Sequence, residues 1–299
     1  MDDQLTTEQE PLLTPDFLRK LEQLSLVSRR VFAGKMRGER RSTKRGASVE
    51  FADYRNYTHG DDFRRVDWNV YARLEKLFLK LFVEEEDLHI YILIDASKSM
   101  EFGSPSKLLH AKRIAAALSY IGLANLDRVG LAALSGSDAH ILQPKRGKQS
   151  AHEVFRWLEC ISPSGQTDLA ASIRDFSLRT AQSGVVIVLS DFLCTSYPQG
   201  LITLLARKFE PVILHILDQD ELQPPLVGDL LLIDSETGER REVTITQTLL
   251  RKYQQRLSAF KTDLESFCVR YGCTHACISN RTPFEDLVLN YLRQKGTIS

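Results

Sequence analysis

Neither sign of charge prevails in this 299-residue chain: 39 Lys and Arg stand against 39 Asp and Glu, for a formal net charge of zero. That absence excludes a basic sheath for nucleic acid over the whole surface, while leaving room for a local basic patch. No apolar run approaches the roughly 18 residues that a membrane span needs, and His89 to Ala96 is a core run of strand length. The opening Met1-Asp2-Asp3-Gln4 lacks a charged-then-apolar export pattern, so a cytoplasmic location is expected. Cysteine is scarce, with five residues and no C-x-x-C pair. Cys273, His275 and Cys277 alternate and would share one face of a strand, but a structural zinc site needs a fourth ligand and tighter loop spacing. The thiols are therefore read as reduced and buried. A G-x-x-x-x-G-K-[ST] phosphate loop is missing, since Gly103-Ser104-Pro105-Ser106-Lys107 lacks the spacing, and so is a G-x-S-x-G elbow. Internal repeats and low-complexity segments are absent too, and 43% hydrophobic with 26% charged residues is a globular composition.

What the chain does contain is a change of texture near residue 87. Before it, residues 1–13 read as a flexible tail, and Thr14-Pro15 as a helix start carrying Phe17, Leu21, Leu24 and Val27 at helical spacing. A basic, glycine-punctuated loop spans residues 29–45, and an unusual Arg/Asp/aromatic segment follows from Glu50 to Glu86. After residue 87, strands and helices alternate. Leu88–Asp95, Val185–Ser190 and Val212–Leu217 read as buried strands, and Arg128–Leu134 with Ala139–Leu142 as an antiparallel hairpin. Lys107–Leu123, Ser150–Cys160, Asp168–Ala181 and Thr246–Tyr271 read as helices, Cys273–Ile278 as a last strand, and Thr282-Pro283-Phe284-Glu285 as the cap of a final helix. Uninterrupted apolar strands argue for a mostly parallel α/β sheet with helices on both faces. The expected organisation is a tail (1–13), a segment packing on the main domain (14–86), and an α/β domain (87–299) with a β-hairpin insertion near 229–246.

In open parallel sheets, ligands bind at the carboxyl ends of the strands. Two buried strands here end in carboxylates, in Ile94-Asp95-Ala96-Ser97-Lys98-Ser99 and Ser190-Asp191, and Gly165-Gln166-Thr167-Asp168 leads into a helix between them. Asp95, Ser97, Ser99, Thr167 and Asp191 are hard oxygen donors suited to Mg²⁺ first, with Mn²⁺ or Ca²⁺ as alternatives. Alternate residues of an extended loop project the same way, so Asp95, Ser97 and Ser99 can converge on one cation. Two carboxylates and three hydroxyls would leave that cation electrophilic enough to take a carboxylate from another molecule. Each residue also has a plainer use, as a turn or a helix cap.

This set resembles the metal-ion-dependent adhesion site of von Willebrand factor A domains at all five positions. Farther upstream, Phe51-Ala52-Asp53-Tyr54-Arg55-Asn56-Tyr57, then Gly60-Asp61-Asp62-Phe63-Arg64-Arg65-Val66-Asp67-Trp68, Ala72-Arg73 and Glu84-Glu85-Glu86 resemble the signature of the bacterial domain-of-unknown-function family 58. The resemblance implies a von Willebrand A-like, Rossmann-like fold preceded by a family-specific segment. It also implies a protein encoded alongside MoxR-type AAA+ ATPases, acting with them in chaperone-like assembly or maturation of other proteins. Carried over by position, Ser97, Ser99 and Thr167 would hold the metal directly, and Asp95 and Asp191 directly or through water. A carboxylate of the ATPase or its client would complete the shell. Phe192 departs from the glycine common after the last aspartate.

The Arg/Asp/aromatic segment offers Arg55, Arg64, Arg65 and Arg73 to Asp61, Asp62 and Asp67 for bidentate pairs, with Trp68, Tyr54 and Tyr57 as apolar cover. It is either a partner-binding surface or a structural ion-pair lattice; His59 reads as a turn residue. Two other functions stay open. A Mg²⁺-dependent phosphotransferase or hydrolase could use Asp95 as nucleophile, although Ser97 stands where haloacid-dehalogenase sites place a second aspartate. The 29–45 loop could bind nucleic acid, an acidic protein or a membrane face, although it has only Phe32 for stacking. The reading favoured is a non-enzymatic interaction module without a small-molecule substrate.

Overall fold

The computed structural model describes residues 12–19, 21, 50–58, 61, 63, 66–83, 88–165, 168–234 and 238–283. The chain forms two compact units, one of residues 36–87 and one of residues 1–35 with 88–299. The basic loop at 29–45 lies outside the described residues, as do Phe284 and Glu285 of the final capping box and His59, Asp62, Arg64 and Arg65.

In the smaller unit, β1 (Glu50–Asn56) pairs antiparallel with β2 (Phe78–Val83), with a register shift between Phe51 and Asp53. Between them runs α1 (Trp68–Leu74). Asp67, expected in an ion pair, serves as its cap: Oδ1 accepts from Asn69 N at 2.9 Å and Val70 N at 3.3 Å. Asp61 ties a turn, with Oδ2 accepting from the Thr58 amide at 2.8 Å and its hydroxyl at 2.7 Å. Trp68, expected as apolar cover, is 57% exposed, its ring edge-on to Tyr71. The physical reason is its place at the first turn of a helix with no buried residue. Arg73 is exposed in the last turn of that helix, and Arg55 lies in β1.

The larger unit is built on six strands: β3 (His89–Asp95), β4 (Arg128–Ser135), β5 (Asp138–Arg146), β6 (Val185–Ser190), β7 (Glu210–Leu217) and β10 (Thr274–Ser279). Their order is β10-β7-β6-β3-β4-β5, parallel throughout except for β5. This is the Rossmann-type order in which the chain starts in the middle, builds one side and then crosses to the other, and it gives a von Willebrand A-like α/β domain. Side chains alternate along β3. Ile90, Ile92 and Ile94 enter a core with α2 (Lys107–Ala124) and α3 (Ala151–Glu159), and Tyr91 and Leu93 enter a second core on the opposite face. That second core is closed by α4 (Leu169–Arg179), α5 (Tyr197–Ala206) and α7 (Gln247–Tyr271). A single turn, α6 (Gln219–Leu222), follows β7, and β8 (Gly228–Ile233) with β9 (Arg240–Ile245) forms the expected hairpin insertion.

The first residues depart from expectation. Leu12 and Leu13, placed by composition in a loose tail, are 6% and 5% exposed and join Phe17 and Leu21 in the first core. Their apolar area outweighs the polar context, at about 1.5–3 kcal/mol for each buried Leu or Phe. Thr14 caps the helical turn as expected, its Oγ1 accepting from Phe17 N at 3.3 Å. The segment expected at 14–86 is thus divided, its helical start belonging to the sheet domain.

Two measurements test this packing. Leu21→Ala should cost about 2–5 kcal/mol in urea unfolding, and a loss below about 0.5 kcal/mol would mean that the N-terminal turn is not part of the core. His110 is buried with Nε2 lacking a partner, and burial, helped by Arg113, lowers its pKa from 6.5 to about 4. The folded state therefore keeps it neutral while the unfolded chain protonates, so stability is full above pH 6.5 and falls as pH drops towards 4. His110→Leu should remove about 2–3 kcal/mol of that acid-side loss, seen as a flatter plot of stability against pH.

Candidate functional site

At the centre of the sheet the chain leaves β3 towards β4 on one side and β6 lies on the other, so a crevice opens at their carboxyl ends. Asp95 ends β3 there, and Ser190 and Asp191 end β6. A cleft of about 520 Å³ is lined by Asp95, Ser97, Ser99 and Asp191, with Gly136, Asp168 and the 193–196 loop around them. Four of the five expected donors are thus brought together. Thr167 lies outside the described residues, between Gly165 and Asp168, whose backbones are tied to the site: Lys98 N donates to Gly165 O at 3.1 Å, and Asp168 N to Gly136 O at 2.8 Å.

The loop after β3 differs from the extended form expected. Asp95 Oδ1 accepts from the Ser97 amide at 2.9 Å, an Asx turn that leads into a 3-10 turn over Lys98–Glu101. Aspartate followed by serine two residues on builds this turn locally, and it brings Ser97 Oγ within 2.9 Å of Ser99 Oγ. The hydroxyls converge, by a helical turn rather than by strand alternation.

Both carboxylates are buried, Asp95 at 4% exposure and Asp191 at 2%. Asp95 Oδ2 accepts from Ser190 Oγ at 2.6 Å. Burial first, and then the charge of Asp191, push the Asp95 carboxyl from 3.8 up to about 6, against the hydrogen bonds from Ser190 and Ser97. Asp191 Oδ1 accepts from Leu193 N at 3.1 Å, and Oδ2 receives the ammonium of Lys107 at 2.8 Å. Lys107 is fully buried and meets Glu221 Oε1 at 2.6 Å on its other side. Burial works to lower its pKa, but the fields of Asp191 and then Glu221 override that, so the net shift is upward and the charge is kept.

Ser190, Lys107 and Glu221 are the site residues that the sequence conceals. A strand-end serine has no motif, and a lysine in a first helical turn looks like an exposed residue. Its one signal is that a cation at a helix N-terminus opposes the helix dipole.

Phe192 holds the left-handed backbone that its place after Asp191 demands, with φ 53°. The turn is pinned by Phe192 N donating to Ser190 Oγ at 2.8 Å and Cys194 N to Phe192 O at 2.7 Å. Its ring is fully buried, edge-on to Tyr197 and His215. A phenylalanine thus offsets backbone strain by core burial. Not all the thiols are buried as expected: Cys160 and Cys277, the latter on edge strand β10, are exposed, and Cys273 just before that strand is half-buried; among the described residues no group of three His, Cys, Asp or Glu is arranged to hold a metal. The cleft at Asp95 and Asp191 brings hydroxyl oxygens beside its carboxylates.

The family model described as "Protein of unknown function DUF58" matches residues 53–262. Uncharacterised proteins of Mycobacterium tuberculosis and Mycobacterium bovis are each 27% identical over 273 residues, which is 90% of this chain and 86% of theirs. Among solved structures, the conserved hypothetical protein BatB of Bacteroides thetaiotaomicron is similar at 16% identity and TM-score 0.44, covering 71% of this chain and all of that one. An aerotolerance-related membrane protein of Bacteroides fragilis is similar at 17% identity and TM-score 0.45, covering 70% of this chain and 98% of that one.

Phe192→Gly separates strain from burial. Relief of a left-handed residue returns about 1–2 kcal/mol, while loss of a buried phenylalanine costs about 3–5 kcal/mol. The variant should therefore be about 2–3 kcal/mol less stable in denaturant titration. A variant as stable as the parent would show that the buried ring does not hold this turn.

Proposed function

This chain belongs to the DUF58 family, and we propose that it is a non-enzymatic protein-interaction module that docks a partner's carboxylate through a divalent cation held at the Asp95–Asp191 cleft. The observation that carries the reading is the convergence of hard oxygen donors from separate parts of the chain in one crevice, where the sheet topology favours a ligand. The donors fit a small hard cation: two cis ligands of an octahedral Mg²⁺ lie about 2.9 Å apart, and the Ser97 and Ser99 hydroxyl oxygens are separated by 2.9 Å. Ser97, Ser99 and Thr167 would hold it directly, with Asp95 and Asp191 supplying charge directly or through water. Mg²⁺ is the first choice, Mn²⁺ or Ca²⁺ the alternatives. A bound cation would supply electrostatic attraction for an anionic group, and the volume of the cleft leaves room for one.

The partner we propose is a MoxR-type AAA+ ATPase or the client on which it acts, in chaperone-like assembly or maturation, as the family resemblance implies. Cytoplasmic action agrees with that partnership. Among the described residues no helix is long and apolar enough to cross a membrane. The geometry disfavours a phosphotransferase. Both oxygens of Asp95 already accept hydrogen bonds, and Ser97 has no carboxyl to act as general acid.

Asp95→Ala and Thr167→Ala should each abolish Mg²⁺-dependent capture of the MoxR-type ATPase by the purified chain, with circular dichroism unchanged. Capture that persists in excess EDTA would overturn the metal reading. Metal-dependent hydrolysis of p-nitrophenyl phosphate, lost in Asp95→Ala, would favour the enzyme instead.

A further inference from the structure

We propose that Lys107 is a built-in counter-cation that sets how tightly the cleft holds its divalent ion, by keeping one oxygen of Asp191 permanently engaged. The proposal rests on the metal reading above and concerns a residue outside the donor set. Lys107 is the first residue of α2 and is fully buried, at the positive end of the helix, where neither solvent nor dipole favours an ammonium. Among the described residues, Asp191 Oδ2, at 2.8 Å, and Glu221 Oε1, at 2.6 Å, compensate it.

Its position is fixed from behind. Glu221 Oε2 accepts from the Asp218 amide at 2.7 Å, and the Glu221 carbonyl accepts from the Tyr253 hydroxyl at 2.7 Å. Asn280 Nδ2 donates to Asp218 Oδ2 at 2.5 Å and to Pro105 O at 2.6 Å, two residues before Lys107. The ammonium is therefore held between a carboxylate that faces the cleft and one that is anchored to α6, α7 and the end of β10.

The chemical consequence follows from charge and valence. Asp191 has Oδ2 taken by Lys107 and Oδ1 shared with the Leu193 amide, so it offers a cation a shared carboxylate rather than a free one. A fixed positive charge directly behind that carboxylate also repels a dication. The arrangement holds affinity down, which keeps the ion exchangeable and leaves it more electrophilic towards a partner's carboxylate.

Isothermal titration of the full chain with Mn²⁺ and with Mg²⁺ tests this by sign. Lys107→Met should bind Mn²⁺ at least about tenfold more tightly than the parent, whereas a purely structural role for Lys107 would give weaker binding. Should Lys107→Met fail to fold, with two carboxylates left uncompensated, Lys107→Met/Glu221→Leu replaces the pair by apolar groups and should also bind more tightly. Glu221→Gln should bind about threefold or more weakly, because the full charge of Lys107 then falls on Asp191. A parent that binds the ion while the lysine variants bind equally or less well overturns the role of Lys107 and leaves the metal reading standing. A parent and variants that all fail to bind either ion overturn both.

Discussion

Two carboxylates kept out of water at the ends of neighbouring parallel strands are the constraint around which this domain is organised. Asp95 and Asp191 are almost completely buried, and the charge of Asp191 is felt by Asp95. An uncompensated buried carboxylate costs several kcal/mol, so the surrounding groups are committed to compensation. The Ser190 hydroxyl and Ser97 amide serve Asp95, and the Leu193 amide and Lys107 serve Asp191. The requirement then spreads outwards. Lys107 requires Glu221, Glu221 accepts from the Asp218 amide, and Asp218 draws in Asn280 after the last strand. Polar groups distant in sequence are thus joined because two acids sit at the rim of the sheet.

The same constraint explains the turn at Phe192. A carboxylate at a strand end can be turned into the crevice only if the chain bends sharply after it, and the left-handed residue supplies that bend. Glycine would make it without strain. Phenylalanine makes it because its ring fills the core against Tyr197 and His215, so that backbone geometry and packing are settled by one residue. The loop that carries Asp191 is in this way clamped to the sheet's second core.

The sheet was legible because its strands are buried on both faces and read as continuous apolar runs; Val185–Ser190 is recovered to the residue. The β4–β5 hairpin and α7 with its Thr246 cap were legible for equally local reasons, a polar turn and a capping hydroxyl. The helix α5 was not, since Pro198 and Gly200 in its first turn look like loop residues. Gly200 is there because a Cβ would meet Ile173 Cδ1 at 3.0 Å on the neighbouring helix, a demand of tertiary packing. The burial of Leu12 and Leu13 was hidden by their acidic surroundings, and the β1–β2 antiparallel pair by a segment rich in Arg, Asp and aromatics. Within the site, Asp95, Ser97, Ser99 and Asp191 were readable because local motifs mark them. Lys107 and Glu221 were not, because their roles arise from long-range pairing, across 84 and 114 residues, that leaves no local pattern.

Charge counting connects this architecture to a binding role. Asp95, Asp168 and Asp191 bring three carboxylates to the cleft and Glu221 a fourth behind it, against the one ammonium of Lys107, so the cleft and its backing carry an excess of negative charge when all are ionised. That excess suits a cation at the cleft. The Ser97 and Ser99 oxygens of the lining belong to hydroxyls, which ligate without adding charge, so on the proposed reading a cation held there would retain its attraction for an incoming anion. Asp95 has each oxygen oriented by a donor, one in the backbone and one in β6, so its carboxylate is fixed in the crevice. On the reading proposed, what the site holds ready is a fixed electrostatic socket for recognition.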